Sequence, residues 1–307
     1  SLAEAREARF LETARGRVAI ISMASTFPEH SRAGEARGSM RSRPGLSPLR
    51  YTTTRAASAG QIDRLGEALE AVGIRFNRTE SGAQALGTVF VEGREPGVIT
   101  TPNSDDLAEI AAVVNNASRL ADHVLVTIHA HESKGARSVP ADFIVEFARA
   151  MIDAGATMFV GHGPHVLRGI EIYKGKPIFY SLGDFVFQNE TLLRLPAENY
   201  EAYGLEADNH VADFNMSRYS NETTGFPANP EIWESVVARP TFANGELTEL
   251  ALHPITLGFG MPAWVRGRPM LARGDLAEKI LNDLRERSAP YGTEIDVRDG
   301  VGYVRVR

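Results

Sequence analysis

Residues 157–188 read TMFVGHGPHVLRGIEIYKGKPIFYSLGDFVFQ, and the fold turns on this stretch. An apolar run reaches Gly161 and is followed at once by His162, Gly163, Pro164 and His165, which leaves no room for a helix. A buried strand ending in a Gly/Pro turn that carries two imidazoles is a common way to build a metal or acid–base site. The strand fixes the position, the glycines let the backbone bend, and the rings project from the strand end. The chain returns as IEIY, turns at Lys174-Gly175-Lys176-Pro177 and enters a second strand, PIFYSL, that runs to Gly183-Asp184. His162, His165, Ser181 and Asp184 are thereby predicted on one edge of a sheet.

Upstream, Asp122-HVLVTI is a strongly apolar strand that ends on His129-Ala130-His131-Glu132. A helix is predicted over Val139–Ala154, with Phe143, Phe147 and Met151 facing inward. Strand, helix and strand with a polar cluster after each strand make a βαβ unit, whose ligand groups belong at the carboxyl ends of the strands. Both histidine clusters are therefore expected at the same edge. Five of the eight histidines (123, 129, 131, 162 and 165) fall within a 43-residue window. His123 begins its strand and lies at the wrong end, but the other four follow strand ends, with Glu132 and Asp184 nearby. Imidazole and carboxylate without thiolate point to a divalent metal, Mn, Zn or Fe, any of which lowers the pKa of a bound water.

Composition sets the outer bounds. With 307 residues, 43% of them hydrophobic, the chain can bury a sizeable core. We read it as one domain: a core of βα units over 1–188, a loop-rich excursion or lid over 189–233, and closing hairpins and a helix over 234–307. A formal charge of −6 with no basic run gives no general affinity for nucleic acid. No apolar stretch approaches the ~20 residues of a membrane span, and the charged SLAEAREARF start is unlike a signal peptide. The absence of cysteine excludes disulfides and restricts metal ligands to His, Asp, Glu or Asn. A soluble bacterial protein, cytoplasmic or exported, fits these features equally.

Along the rest of the chain, residues 2–14 have helix-forming composition, and VAIISMAS (18–25) reads as a fully buried strand. Residues 26–57, rich in Pro, Gly, Arg and Ser, read as a long loop whose four arginines (37, 41, 43 and 50) are expected in solvent rather than gripping an anion. A helix is predicted from Ser58, a strand pair over GTVFVEG and GVITT, and a helix over Asp105–Leu120. Asn244-Gly245 predicts a hairpin with a type I′ turn. A helix over Arg273–Ser288 and a second hairpin, TEIDV-RDG-VGYVRV, close the chain. Asn209-His210 falls in a polar segment and is read as a coincidence of a loop.

The string H-A-H-E followed by D-A-G-A-T-M-F-V-G-H-G-P-H-V-L-R-G-I-E-I-Y-K-G-K-P-I-F-Y-S-L-G-D-F-V-F resembles the bacterial capsule-synthesis family (CapA, or poly-γ-glutamate synthesis proteins). The likeness is specific over 122–188 and looser from about residue 4 and around RERSAPYGTEI. The family in turn resembles calcineurin-like metallophosphoesterases. The resemblance implies an α/β, metallophosphatase-like four-layer αββα sandwich with a two-metal site at its strand ends. It implies His129, His162, His165 and Glu132 as metal ligands, with His162, His131 and Asp184 as catalytic groups. Which of His162 and His165 ligates metal is open, because Gly163 stands where relatives often have a central histidine. Asp184 replaces the family's usual Asn, and His129-Ala130-His131-Glu132 stands in place of the common H-W-G-x-E. Early D-x-H, G-D and N-H-[DE] strand ends are missing from residues 1–120. The stretch is thus expected to lack the first strands of the fold and to hold an incomplete centre.

Three functions compete at this point. The first is a metal-dependent hydrolase acting on a phosphoester or amide bond in a small-molecule or polymeric anionic substrate, as in capsule or poly-γ-glutamate metabolism. The second is a non-catalytic factor that binds or assembles such a polymer. In the third, the histidines merely satisfy strand ends.

Overall fold

The computed structural model describes residues 1–306. The chain divides into two compact units: one comprises Ser1–Ala136 and Pro140–Ala156, the other Arg137–Val139 and the chain from Thr157 onward.

The first unit contains, in order, Leu2–Arg6 (α1), Arg9–Thr13 (β1), Gly16–Ala24 (β2), Tyr51–Ala57 (β3), Ala59–Ala71 (α2), Asn77–Thr79 (β4), Gly82–Ala85 (β5), Thr88–Glu92 (β6), Gly97–Pro102 (β7), Ser104–Ser118 (α3), His123–His129 (β8) and Asp142–Asp153 (α4). Strand β2 runs parallel to β8 in a register that pairs Ala24 with His129, so the two strands end together. Their inward faces alternate, Ala19, Ile21 and Met23 on β2 and Val124, Val126 and Ile128 on β8, all buried. The predicted fully buried strand is therefore buried on one face only, since Arg17, Ile20 and Ser22 are exposed.

Helix α4 buries Phe143, Phe147 and Met151 as predicted, at one-turn spacing. Phe143 stacks on Tyr51 with centroids 4.3 Å apart, and its backbone N–H donates to Thr100 Oγ1. A second sheet, in the order β4-β5-β6-β3-β7, packs Ala83 and Ala85 with Phe76 against Ile62 of α2.

Three expectations fail here for non-local reasons. The helix over 2–14 stops at Arg6, because Arg9–Thr13 is recruited as a strand by pairing with Gly16–Ile20. The loop over 26–57 ends in β3, which inserts between β6 and β7, so those two strands do not pair with each other. Arg50 is not in solvent alone: it donates to buried Asp106 through its backbone N–H, Nε and a terminal nitrogen, at 2.8–2.9 Å. Asp106 also pairs with buried Arg6 at 2.5 Å, which ties α1, the β3 entry and α3 together.

The second unit contains Met158–His162 (β9), Ile170–Tyr173 (β10), Lys176–Phe179 (β11), Ala197–Glu201 (α5), Val211–Arg218 (α6), Gly225–Ala228 (α7), Glu234–Ala243 (β12), Glu246–Thr256 (β13), Met270–Leu271 (β14), Gly274–Ser288 (α8), Ile295–Arg298 (β15) and Val301–Val304 (β16). Strand β11 pairs in parallel with β9 and antiparallel with β10. A second sheet runs β12-β13-β16-β15, with β14 added to β13. Helix α8 supplies Ala277, Ile280, Leu281 and Leu284 to a core shared with Leu250 and Leu252 of β13 and with Ile170 and Phe179.

Lys174-Gly175, Asn244-Gly245 and Asp299-Gly300 all take positive φ at both positions, the backbone that a two-residue type I′ hairpin demands. PIFYSL is shorter as a strand than expected, ending at Phe179, and the 190–233 excursion holds three short α-helices and a 3₁₀ turn at Pro230–Trp233 rather than loop alone. Asn209-His210 leads into α6, where the His210 N–H donates to Asp213 Oδ2. Among the described residues no helix is long and apolar enough to cross a membrane.

Candidate functional site

Each unit presents one polar strand end. In the first unit, β2 and β8 finish side by side, and the Ser25 N–H donates to the His129 carbonyl at 3.0 Å. Parallel strands that end together bring the residues after them into one cluster. Here these are Ser25 and Thr26 from one strand, and His129, His131 and Glu132 from the other.

The Nε2 atoms of His129 and His131 lie 3.0 Å apart, with the rings tilted by 52°. Such an approach requires either that one nitrogen carry the proton and the other its lone pair, or that both lone pairs face a shared cation. For nitrogen–metal bonds of about 2.0–2.1 Å, two ligands 3.0 Å apart subtend an angle close to a right angle at the ion. The pair therefore fits a metal as two adjacent ligands. No group of three or more His, Asp or Glu side chains among the described residues is placed to hold a metal.

Glu132 is held by hydroxyls. Ser25 Oγ donates to Glu132 Oε2 at 2.7 Å, and Thr26 Oγ1 donates to Oε1 at 2.9 Å. Thr26 Oγ1 in turn accepts the His131 backbone N–H at 2.9 Å. Glu132 thus fixes Thr26, and Thr26 fixes the backbone that carries the His131 ring. The same carboxylate reaches the Tyr51 hydroxyl. Burial, and then the charge and hydrogen bond of Glu132, hold the Tyr51 phenol above its ordinary pKa. Ser25, Thr26 and Tyr51 were not among the residues singled out from sequence. The rule that ligand groups follow strand ends applies to Ser25-Thr26 as much as to His129, and would have found both.

In the second unit, Gly161 lets β9 press against the neighbouring strand, since a Cβ there would sit 2.4 Å from the Tyr180 carbonyl oxygen. His162 follows, exposed at the strand end. Gly163 at φ 116° and His165 at φ 61° turn the chain sharply, and histidine is among the few non-glycine residues that tolerate the left-handed region. That turn aims His165 Nδ1 at Asp184, 3.0 Å from both carboxylate oxygens. Both side chains are largely buried, and Phe226 and Phe187 meet the imidazole edge-on at 5.0 and 5.9 Å. With Nδ1–H donated to Asp184, any lone pair on the ring lies on Nε2. Gly183 at φ 72° approaches the Glu234 carbonyl oxygen and sets the bend before Asp184. Ser181 is buried and accepts the Gly183 N–H through Oγ. Its hydroxyl is therefore part of the turn.

The structure thus brings His129, His131 and Glu132 together in one unit, and His165 and Asp184 together in the other, with His162 three residues before His165.

Comparison with known proteins agrees with the motifs. A family model described as "Bacterial capsule synthesis protein PGA_cap" matches residues 1–189. The chain is 39% identical over 320 aligned positions to the uncharacterised protein y4sH of Sinorhizobium fredii, covering 100% of this chain and 68% of that protein. It is 47% identical over 75 residues to the PGA biosynthesis protein CapA of Bacillus subtilis, covering 24% of this chain and 19% of that one. A solved structure of a hypothetical protein from Thermus thermophilus aligns with 14% identity and a TM-score of 0.25, over 86% of this chain; the chain spans 58% of that structure's length. With a family model matched over most of its length and a relative matched along the whole of it, the chain belongs to the bacterial capsule synthesis protein family, PGA_cap.

Proposed function

We propose that the chain is a metal-dependent hydrolase on a metallophosphatase-like scaffold, acting on a phosphoester or amide bond of an anionic substrate in capsule or poly-γ-glutamate metabolism. The 3.0 Å approach of the His129 and His131 Nε2 atoms carries this reading. Two imidazoles at the end of one strand, beside a carboxylate–hydroxyl network, are a costly arrangement for surface groups and a usual one for ligands. His129 and His131 would hold a divalent ion (Mn, Zn or Fe), with Glu132 bracing the His131 backbone through Thr26. Such an ion, when bound, supplies Lewis acidity and lowers the pKa of water.

Separately, Asp184 fixes the His165 tautomer, so that Nε2 is the atom that accepts or returns a proton. His162, exposed, is the group proposed to protonate a leaving group. His162 and His165 are also carried as metal donors, and alanine substitutions decide between the two roles.

The test uses protein stripped by chelation and then supplied with Mn²⁺ or Zn²⁺, with bis(p-nitrophenyl) phosphate and γ-glutamyl p-nitroanilide as substrates. Turnover of one of them is expected only with metal, and should fall by about 10²-fold or more in His131→Ala. Turnover indifferent to both chelation and that substitution would refute the assignment. The second reading, a polymer-binding factor without catalysis, is favoured by the lack of a three-donor cluster among the described residues. Saturable binding of poly-γ-glutamate with no turnover under any metal would establish it.

A further inference from the structure

Behind the His165–Asp184 couple, the second unit contains a partly open cavity of about 110 Å³. Phe187 and Phe226, the two rings that meet the His165 imidazole edge-on, are also walls of this cavity. Trp233, Tyr219, Met216, Ala212 and Ala263 add to its apolar lining. The floor is rigid. Trp233 is buried and donates from Nε1 to the Phe226 carbonyl at 2.9 Å. It packs with Val166, the neighbour of His165, and with Ile232 and Leu257.

The polar groups in the wall are bonded to one another. Arg266 is buried and donates to Glu190 at 2.8 Å and to Glu222 at 2.6 Å. Asn189 Nδ2 donates to the Tyr219 hydroxyl at 2.8 Å. Two carboxylates against one guanidinium leave this part of the wall net negative. A ligand carboxylate entering here would lose its water, meet like charge and find the one cation already shared.

Glu222 is held in place against a backbone cost. Ser220, Asn221 and Glu222 all take positive φ, at 47°, 55° and 66°. Consecutive left-handed residues other than glycine persist only when their surroundings enforce them, and such strain gathers at ligand sites. Here the Arg266–Glu222 pair and the Asn221 N–H donation to the Met216 carbonyl do so. The strained turn thereby forms one wall of the cavity.

We infer that this cavity is a specificity pocket for a compact apolar side group lying next to the bond that His165 acts on, and that it rejects a free carboxylate, whether the side-chain carboxylate of an α-linked glutamate or the α-carboxylate that a γ-linked glutamate leaves free. Its size sets the class. An apolar cavity of about 150 Å³ takes benzene, so this smaller one suits a branched aliphatic group of leucine or valine size. The substrate class is then an amide or ester flanked by an aliphatic residue rather than an unbroken polyglutamate chain. The inference rests on His165 being a reacting group, as proposed above.

The test reads binding without metal or turnover, so its outcome is independent of whether the protein is a hydrolase. The full chain carries two tryptophans, and Trp264 is 83% exposed. A Trp264→Phe background therefore leaves Trp233 as a reporter inside the cavity. Fluorescence is titrated, after chelation, with N-acetyl-leucinamide, with the α-amide of N-acetylglutamic acid and with tetramethylammonium. Saturable change with the leucine amide is expected, with at least tenfold weaker response to the glutamate compound. Ala212→Phe, at the cavity lining, should weaken the leucine response at least tenfold, and Ala263→Leu serves the same purpose if the first variant is poorly folded. Equal or tighter binding of the glutamate compound would overturn the inference, as would a leucine response unchanged in both filled variants. Tetramethylammonium binding alone would overturn it by assigning the aromatic walls to a cation, and no response to any of the three would do so by making the cavity a packing void.

Discussion

Replacing Glu132 by Gln tests the brace beneath the histidine pair. The carboxylate accepts from Ser25 at 2.7 Å and from Thr26 at 2.9 Å, and hydrogen bonds to a charged group contribute about 1.5–3 kcal/mol each. Gln keeps one acceptor oxygen but presents an NH₂ to the second hydroxyl. One charge-assisted bond is then lost and the other becomes neutral. With the side chain only half-buried, solvent screening reduces the total to about 2 kcal/mol of stability. The effect on metal binding is larger in kind, because Thr26 loses its anchor and with it the His131 backbone contact at 2.9 Å. Loss of a group that supports a ligand from behind costs ~10–100-fold in metal affinity.

Isothermal titration of chelated protein with Mn²⁺ or Zn²⁺ reads that loss, and urea unfolding reads the stability. Tyr51 supplies a third readout. Burial raises its pKa first and Glu132 adds to the rise, so the variant's phenol should titrate closer to the ordinary value while staying above it. A raised tyrosine stabilises the fold below the folded pKa only relative to the ionised form: the unfolded phenol ionises near 10 while the folded one still holds its proton, so stability falls as pH rises from about 10 to the folded value. The variant should accordingly lose less stability at alkaline pH. Metal affinity within a factor of two of wild type, with Tyr51 unmoved, would refute the proposed chain from Glu132 through Thr26 to His131.

Two further substitutions test the scaffold. Asp106→Asn takes the buried carboxylate from buried Arg6, which keeps Glu109, and from exposed Arg50, and should cost about 3 kcal/mol in urea unfolding. Burial pushes the Asp106 pKa up, but hydrogen bonds from Arg50 and the charges of Arg50 and Arg6 outweigh it and leave it lowered. The stability that Asp106 contributes is thus present above the ordinary aspartate range and lost as pH falls through the folded value. A variant with wild-type acid sensitivity would contradict this. Gly161→Ala places a Cβ 2.4 Å from the Tyr180 carbonyl and should destabilise by about 1–3 kcal/mol, whereas an unchanged unfolding midpoint would show that β9 can move aside.

Much of the scaffold was legible in the sequence wherever a local signal and the tertiary outcome coincide. Asn244-Gly245 and Asp299-Gly300 announced their hairpins, because few residues accept positive φ at both turn positions. Phe143, Phe147 and Met151 announced the buried face of α4 through their spacing. Arg9–Thr13 did not announce itself. Its residues are all exposed and carry no alternation, and only pairing with β2 makes them a strand. Strand β3 was hidden for a similar reason: YTTTRAA has β-branched residues, but its partners β6 and β7 lie about 30 or more positions away in sequence, too far for any local pattern to signal the pairing.

At the candidate site, His129, His131, His165 and Asp184 were read from residue type and strand-end position. The pairings, His129 with His131 and His165 with Asp184, were not, because they depend on ring orientation and on the left-handed turn at His165. Ser25 and Thr26 carried the strand-end signal once β2 was placed beside β8, whereas Tyr51 begins β3 and nothing local marks its hydroxyl.

The central claim, that His129 and His131 together hold a divalent ion, is tested most directly by metal titration of the chelated full chain beside His129→Ala and His131→Ala, with Mn²⁺ and Zn²⁺. Saturable binding is expected in the parent protein, with each single substitution weakening it at least tenfold and the double variant little worse than either single one, because the two imidazoles act as one chelating pair. Affinity unchanged by both single substitutions, or no binding of either metal to the parent protein, would contradict the account.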